Sequence, residues 1–187
     1  MVVLRGFLRG DRLERVLDGI REASWEPHQD EIADELVMVD NSASVLLHFL
    51  MHDPELFALI REITGCPPIG RFRGRIYRMY PETGHHNSWH RDLAGGRLAA
   101  ISINLSEEPF DGGGLEMRDS TTKVRRSEAP RLRLGDAVVL RLDRRLEHRV
   151  RDVRGPTPKT AFAGFFFDDE TSVLTRPRTT TRTKEPA

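Results

Sequence analysis

The amino-acid sequence predicts a mainly β domain, a sandwich or a barrel, that is preceded by helices. From residue 70 onward, short apolar or alternating segments recur between turn signals, and no long helical segment separates them. Before residue 70, apolar residues follow helical spacing instead. The length of 187 residues suits a single domain with one core. We therefore expect a helical support region at 1–69, a β core at 70–169 and a flexible basic tail at 170–187.

Two helices are predicted in the support region. "DRLERVLDGIREA" places its apolar residues on one face, with Asp11 as the expected cap. "DPELFALIREITG" has Asp53 as a cap, Pro54 at the first helical position and Gly65 at its end. The apolar segment "SASVLLHFL" between them fits either a helix or a strand.

The strands of the predicted core are short and evenly spaced. In chain order the segments are "RFRGRIYRMY", "LAAISINL", "GLEMRD", "DAVVLRL", "EHRV" and "TAFAGFFF". Turn-forming residues separate them, as in "PETG", "LAGG", "FDGGG" and "RGPTP". This pattern is typical of an antiparallel sandwich or barrel and argues against a parallel α/β sheet.

Composition excludes several classes of function. The chain has 29 basic and 29 acidic residues, so its net charge predicts no nucleic-acid or membrane partner. Cys66 is the single cysteine, which excludes an internal disulfide; its context favours a helix-ending turn over a catalytic thiol. The apolar N-terminus is interrupted at Arg5, too early for a secretory signal, and we expect a cytoplasmic protein. The tail is expected to be disordered, or to contact an acidic partner weakly.

His90 and Asp92 are the candidate metal ligands in "NSWHRDLAGG". Residues two apart on a strand point to the same side, so this pair offers one nitrogen and one oxygen. His148 in "LEHRV" lies on a later strand and would supply a third ligand. Two imidazoles and one carboxylate form the facial triad of non-haem Fe(II) oxygenases. Taken singly, a histidine is more often a hydrogen-bonded core or surface residue than a metal ligand.

Lys159 begins the last apolar strand. By strand alternation it shares a face with Ala161 and Ala163, while Phe162 and Phe166 face the other way and would pack under the helices. A buried lysine is costly without an anionic partner. A cation beside two small side chains therefore predicts a pocket that holds an anion.

The ordered motifs resemble those of the 2-oxoglutarate/Fe(II)-dependent oxygenases, most of all the prolyl-4-hydroxylase-like branch. They are His90-x-Asp92, "GGGLEM", "RLGDAVVL", His148-x-Val150 and Lys159, over residues 70 to 168. The resemblance implies a double-stranded β-helix, a jelly-roll barrel of cupin type. It also implies Fe(II) bound by the two histidines and the aspartate.

The same resemblance implies a cosubstrate site and a reaction. Lys159 would pair with the C5 carboxylate of 2-oxoglutarate, and Tyr80 would reach the same carboxylate. Oxidative decarboxylation of 2-oxoglutarate with O2 would give succinate and CO2, coupled to oxidation of a substrate C–H bond, with ascorbate as a stimulant. Because related halogenating enzymes lack the carboxylate ligand, Asp92 favours hydroxylation. The expected substrate is an amino acid, a peptide or protein residue, or a natural-product intermediate.

Two alternatives to this function remain open. One is a cupin-type metalloenzyme that keeps the triad but does not use 2-oxoglutarate. The other is a ligand-binding barrel that has lost catalysis. The sequence gives no indication of the oligomeric state.

Further residues are weaker candidates for contacts with substrate or cosubstrate. Arg78 would clamp an anion if the strand face of Phe72 and Ile76 is inward, whereas a bulge would turn it to solvent. Asn104 would donate to the cosubstrate or begin a turn. The remaining candidates are His85 and His86 at the substrate entrance or on a surface loop, Trp89 in the pocket wall or outside the barrel, Arg91 without an assigned role, and Arg97 as a substrate contact.

Overall fold

The computed structural model describes residues 1–168, and the predicted tail at 170–187 lies outside these residues. The helices are α1 (Gly10–Arg21), α2 (Ser42–Met51) and α3 (Pro54–Thr64). The first strands are β1 (Val2–Leu4), β2 (Trp25–Gln29), β3 (Ala33–Met38), β4 (Ile69–Met79), β5 (His86–His90) and β6 (Arg97–Asn104). The later strands are β7 (Asp111–Gly112), β8 (Leu115–Asp119), β9 (Arg125–Glu128), β10 (Ala137–Arg141), β11 (Leu146–Val150), β12 (Val153–Arg154) and β13 (Lys159–Asp168).

The three helices form largely where the sequence indicates. In α3, the Asp53 side chain accepts from the Glu55 N–H at 2.8 Å, and Gly65 ends the helix in the left-handed conformation at φ 63°. The ambiguous apolar segment is helix α2. The expected Asp11 cap is wrong: α1 begins at Gly10, its N-cap is Arg9, two residues before Asp11, and Asp11 lies in the first turn.

In the described part of the chain, no single helix has the length and apolar composition required to span a membrane. Helices α2 and α3 together, bent by 61° where they meet, satisfy this requirement by length and composition alone.

The N-terminal region also contributes three strands to the main sheet. β1 pairs with β10, β2 pairs with β3, and β3 pairs with both β4 and β5. β3 therefore joins the long central strand β4 to the short strand that ends at His90. Residues 1–69 support the core with strands as well as with helices.

One antiparallel sheet dominates the molecule and curls around a cavity. Its strand order is β1-β10-β6-β13-β4-β3-β5-β11-β8-β9, and β7 and β12 form a separate pair. Side chains from β6 and β10, near one end of this order, line the same cavity as side chains from β5 and β11, near the other end. The predicted mainly β fold with N-terminal helices is confirmed.

The two faces of the central strands have different roles. Phe72 and Ile76 of β4 and Phe162 and Phe166 of β13 are buried in the main core together with the helices, as predicted for the two β13 phenylalanines. The opposite face borders the cavity. Gly164 lets these strands approach closely, because a Cβ there would lie 2.6 Å from the Gly74 Cα and would also clash with the Arg73 carbonyl.

Candidate metal centre and cosubstrate cavity

Two neighbouring strands and the turn after one of them bring the three predicted metal ligands together. His90 ends β5 and lies directly opposite His148 of β11, and Asp92 follows two residues after His90. The Asp92 Oδ2 atom lies 2.9 Å from His90 Nε2 and 3.1 Å from His148 Nε2. One ligand atom from each residue lies within 4.8 Å of the other two. The three side chains could therefore bind one metal ion.

Neighbouring groups orient these ligands. His90 Nδ1 lies 2.7 Å from the Ser88 carbonyl oxygen, so its N–H donates there and Nε2 is left to bind a metal. The Asp92 Oδ1 atom accepts from Arg97 Nη1 at 2.7 Å. The Asp92 carboxylate thus presents Oδ2 to the histidines while Arg97 holds its other oxygen.

The electrostatics of the triad favour a cation. Burial raises the pKa of Asp92, but hydrogen bonds from His148 and His90 outweigh burial and hold that pKa well below its usual range. Burial lowers the pKa of His90, but the hydrogen bonds to Asp92 and to the Ser88 carbonyl, together with the charge of Asp92, outweigh burial, so the net shift is upward. The side chains are only 11–12% exposed. An ionised carboxylate between two imidazoles, largely shielded from water, is the donor set that Fe(II) accepts in facial-triad sites.

A cavity of about 450 Å³ lies beside the triad. Lys159 and Ala163 of β13 line it together, which confirms the predicted shared face. Lys159 is 7% exposed, and its Nζ donates to the Gly113 carbonyl oxygen at 2.8 Å. Burial lowers the pKa of Lys159 to about 8, although the charge of Glu35 partly opposes this effect. Lys159 is thus a buried cation in the same cavity as the metal ligands.

The comparisons with known proteins agree with this geometry. The model of the 2OG-Fe(II) oxygenase superfamily matches residues 75–167, which include all three candidate ligands and Lys159. The chain belongs to this superfamily. Membership implies Fe(II) and 2-oxoglutarate as cofactor and cosubstrate, and the residues of this oxygenase fit both groups: a facial triad for the metal and a buried cation for a dicarboxylate.

Solved structures show the same fold at low sequence identity. A 2OG-Fe(II) oxygenase family oxidoreductase from Burkholderia pseudomallei is 20% identical, with a TM-score of 0.65 over 89% of this chain and 84% of that chain. A Pseudomonas putida prolyl-4-hydroxylase is 18% identical, with a TM-score of 0.65 over 90% and 92%. The α-ketoglutarate-dependent epimerase SnoN from nogalamycin biosynthesis is 13% identical, with a TM-score of 0.63 over 89% and 78%. No curated protein sequence matches the oxygenase.

The structure places Arg78 and Tyr80 away from the cavity. Arg78 stacks over Trp25 with its guanidinium carbon 4.0 Å from the ring centre, and it donates to Thr160 Oγ1 at 2.9 Å. Tyr80 is 37% exposed and packs against His85. The physical reason is strand alternation: the β4 face that carries Phe72, Ile76 and Arg78 meets the helices and the outer strand β2, and not the cavity. This placement does not support the predicted cosubstrate contacts.

Tyr77 is the tyrosine that lines the cavity of the oxygenase. It is 6% exposed, and its ring centre lies 5.7 Å from Lys159 Nζ. Burial, assisted by the charge of Glu35, raises the pKa of Tyr77, and its hydroxyl hydrogen-bonds with Ser102. Sequence reasoning passed over Tyr77, although alternation already placed it on the face opposite Phe72.

Asn104 lines an adjoining cavity of about 230 Å³, which shares Lys159 with the metal cavity. Its Nδ2 donates to the Leu132 carbonyl oxygen at 3.2 Å, and its Oδ1 accepts from the Ser106 N–H at 3.2 Å. These bonds favour the turn-forming alternative, because Oδ1 holds the backbone that follows β6 and Nδ2 is already bonded to the segment before β10.

Of the remaining candidates near the metal ligands, His85 lies in the loop before β5, His86 is the first residue of β5, and Arg91 follows the strand. His85 Nδ1 accepts from the Tyr80 N–H at 2.9 Å, and His86 Nδ1 lies 3.0 Å from the Gly84 carbonyl oxygen. Neither histidine lines the metal cavity. Arg91 is exposed.

Trp89 lies between two arginines of the oxygenase. The guanidinium carbons of Arg118 and Arg149 lie 4.2 Å and 4.7 Å from its ring centre. Trp89 does not line the metal cavity, which fits the alternative that placed it outside the barrel. It therefore joins β5 to β8 and β11 on the side away from the ligands.

Proposed function

We propose that this oxygenase uses Fe(II), 2-oxoglutarate and O2 to hydroxylate a C–H bond of a small molecule or a peptide. The observation that carries the proposal is that the His90, Asp92 and His148 ligand set and the buried Lys159 line one cavity. When bound, Fe(II) and 2-oxoglutarate supply the activation of O2, with succinate and CO2 as the products of the cosubstrate.

Lys159 would bind the C5 carboxylate of 2-oxoglutarate. Its hydrogen-bond partner among the described residues is the neutral Gly113 carbonyl, so a carboxylate would supply the counter-charge that burial makes valuable. The hydroxyl of Tyr77, whose ring centre lies 5.7 Å from Lys159 Nζ, would take the role predicted for Tyr80. Ala163 leaves space next to the ammonium group, and the metal ligands lie at another part of the same cavity.

Asp92 would direct the outcome toward hydroxylation. As an ionised ligand it occupies the position that related halogenating enzymes leave open. Arg97 would maintain this arrangement, because its hydrogen bond to Oδ1 keeps Oδ2 directed at the two histidines. A prolyl-4-hydroxylase and an epimerase share this fold, so the fold alone does not specify the reaction.

The proposal is tested with purified protein supplied with Fe(II), ascorbate, 2-oxoglutarate and air. We expect slow succinate formation even without the true substrate. Asp92→Ala should abolish it, whereas Arg91→Ala, an exposed neighbour in the same turn, should retain it. Metal binding by the wild type without any 2-oxoglutarate binding would overturn the proposal in favour of the cupin-type alternative.

A further inference from the structure

Three arginines line the metal cavity in addition to Lys159. Arg73 and Arg75 lie two residues apart on β4, and Arg97 begins β6. Arg75 Nη2 donates to Glu35 Oε1 at 2.6 Å, and Arg97 Nη1 donates to Asp92 Oδ1. Within residues 1–168, Arg73 has no hydrogen-bond or ion-pair partner. One cation at the edge of the cavity is therefore left without a counter-charge.

Binding of Fe(II) and 2-oxoglutarate would not neutralise Arg73 and Arg97. With the proposed groups bound, the charges of Fe(II) and Lys159 are balanced by Asp92 and the dianion of 2-oxoglutarate. Glu35, which is 3% exposed, balances Arg75. The remaining acid of the lining is Asp30, which faces His28 at 3.4 Å. Arg73 and Arg97 carry two positive charges, of which Asp30 balances at most one, so the loaded cavity keeps an excess of positive charge.

Phe165 joins these two arginines. The Arg97 guanidinium carbon lies 4.2 Å from the Phe165 ring centre. Arg73 lies opposite Phe165 in the pairing of β4 with β13. Phe165 itself lines the cavity. Of the five N–H donors of a guanidinium, Arg97 uses one on Asp92, so donors remain for a ligand.

We infer that the substrate carries an anionic group, a carboxylate or a phosphate, which Arg73 and Arg97 bind beside Phe165. This inference rests on the proposed function and names the substrate class of that same site. Forked guanidinium donors match the paired oxygens of both anions. Because Arg97 also contacts Asp92, the anion would lie next to the ligand set, and carbon atoms near the anionic group would be the ones presented for oxidation.

The test uses holo protein loaded with Mn(II), which does not support turnover, and with saturating 2-oxoglutarate, so that Lys159 is already occupied. Small carboxylates and phosphate monoesters are titrated in matched pairs with their neutral amides and alcohols, and thermal shift and calorimetry report binding. Benzoate with benzamide and phenyl phosphate with phenol are the first pairs. We expect the anionic member of each pair to bind at least tenfold more tightly than its neutral partner. Whether carboxylates or phosphate monoesters bind more tightly then shows which of the two groups the substrate carries.

Variants connect that preference to Arg73. Arg73→Gln should weaken anion binding at least tenfold, Arg73→Lys should restore part of it, and Arg91→Gln should match the wild type. The melting temperature of unliganded Arg73→Gln shows whether the variant folds. Equal binding of neutral and anionic members, absence of any anionic ligand, or unchanged affinity in a folded Arg73→Gln would overturn the inference.

The two proposals fail in different ways. If 2-oxoglutarate stabilises the Mn(II)-loaded protein but no anion preference appears, the substrate class is wrong and the oxygenase proposal stands. If 2-oxoglutarate gives neither stabilisation nor succinate, the oxygenase proposal itself fails.

Discussion

Replacing Lys159 by methionine should stabilise the protein in the absence of 2-oxoglutarate and remove its response to that cosubstrate. The ammonium group is buried, and its favourable contacts among the described residues are a backbone carbonyl, the Tyr77 ring and the charge of Glu35. Methionine has similar length and carries no charge. The substitution therefore removes an unfavourable buried charge without leaving a large void.

The magnitude follows from the pKa of Lys159. Burial lowers that pKa from 10.5 to about 8, so at about 1.36 kcal/mol per pKa unit the charged form costs about 3 kcal/mol near neutral pH. Removing the charge therefore stabilises the variant by about 3 kcal/mol. Loss of the 2.8 Å hydrogen bond leaves the Gly113 carbonyl without its partner and offsets about 1–2 kcal/mol of this stabilisation. We expect a net stabilisation of about 1–2 kcal/mol, or about 3–6 °C in Tm for a domain of this size.

Calorimetric melting of the Mn(II)-loaded proteins, with and without 2-oxoglutarate, measures this effect. At a 2-oxoglutarate concentration one hundred times its Kd, the wild type should gain about 2.7 kcal/mol, and Lys159→Met should gain almost nothing. The order of the two melting temperatures should therefore reverse when 2-oxoglutarate is added. Lys123→Met is the matched control, because Lys123 is an exposed lysine paired with Glu147, and it should change neither condition by more than about 1 kcal/mol.

The pH dependence gives an independent check. Between pH 8 and 10.5 the unfolded chain keeps the proton on Lys159 and the native state releases it, so wild-type stability contributed by this group rises with pH. The advantage of Lys159→Met at pH 7 should shrink toward pH 10. A variant that melts below the wild type at pH 7 without 2-oxoglutarate, or an advantage independent of pH, would refute the reasoning.

Three further outcomes are expected. Tyr77→Phe removes the hydroxyl beside Lys159 and should weaken 2-oxoglutarate binding to the Mn(II) protein about tenfold in a titration, whereas Tyr80→Phe should not. Gly164→Ala forces a Cβ against backbone atoms of β4 and should lower the free energy of unfolding in urea by about 2–4 kcal/mol; a loss below 1 kcal/mol would contradict the observed strand approach. Metal affinity, followed by Mn(II) magnetic resonance, should fall as pH drops below about 7, because protons compete for His90, whose pKa is raised above 6.5, while Asp92 stays ionised.

Much of the metal site could be predicted because it depends on local geometry. The alternation that separates Lys159 from Phe162 is a property of an extended strand and holds in β13. His90 and Asp92 do meet, although β5 ends at His90 and Asp92 lies in the turn after it. Which strand supplies the third ligand is not a local property. The order of motifs along the chain, and not spacing, pointed to His148.

The interpretation of β4 shows what the sequence could not provide. Alternation separates its two faces correctly, but the predicted role of Arg78 depends on the condition that the face of Phe72 and Ile76 is the inward one. In the structure these apolar residues meet the helices, and Arg73, Arg75 and Tyr77 line the metal cavity. The apolar face of β4 therefore packs on the helices, and its opposite face borders the cavity. Where the helices pack depends on residues that are distant in sequence, so alternation along β4 alone does not reveal it. The strand Trp25–Gln29 was missed for a related reason, since its polar side chains and Pro27 give no apolar alternation.

Trp89 shows how the fold maintains the ligand geometry without touching the metal cavity. His90 and His148 are held by one short antiparallel pairing whose register shifts between His148 and Val150. Few backbone bonds therefore fix the separation of the two imidazoles. Stacking of Trp89 between arginines of β8 and β11 adds a second connection across these strands, and the Arg149 Nε donates to Glu116 at 2.8 Å. Trp89, the residue beside His90, thus stabilises the spacing of β5 and β11 from the side away from the cavity, and the metal ligands depend on that spacing.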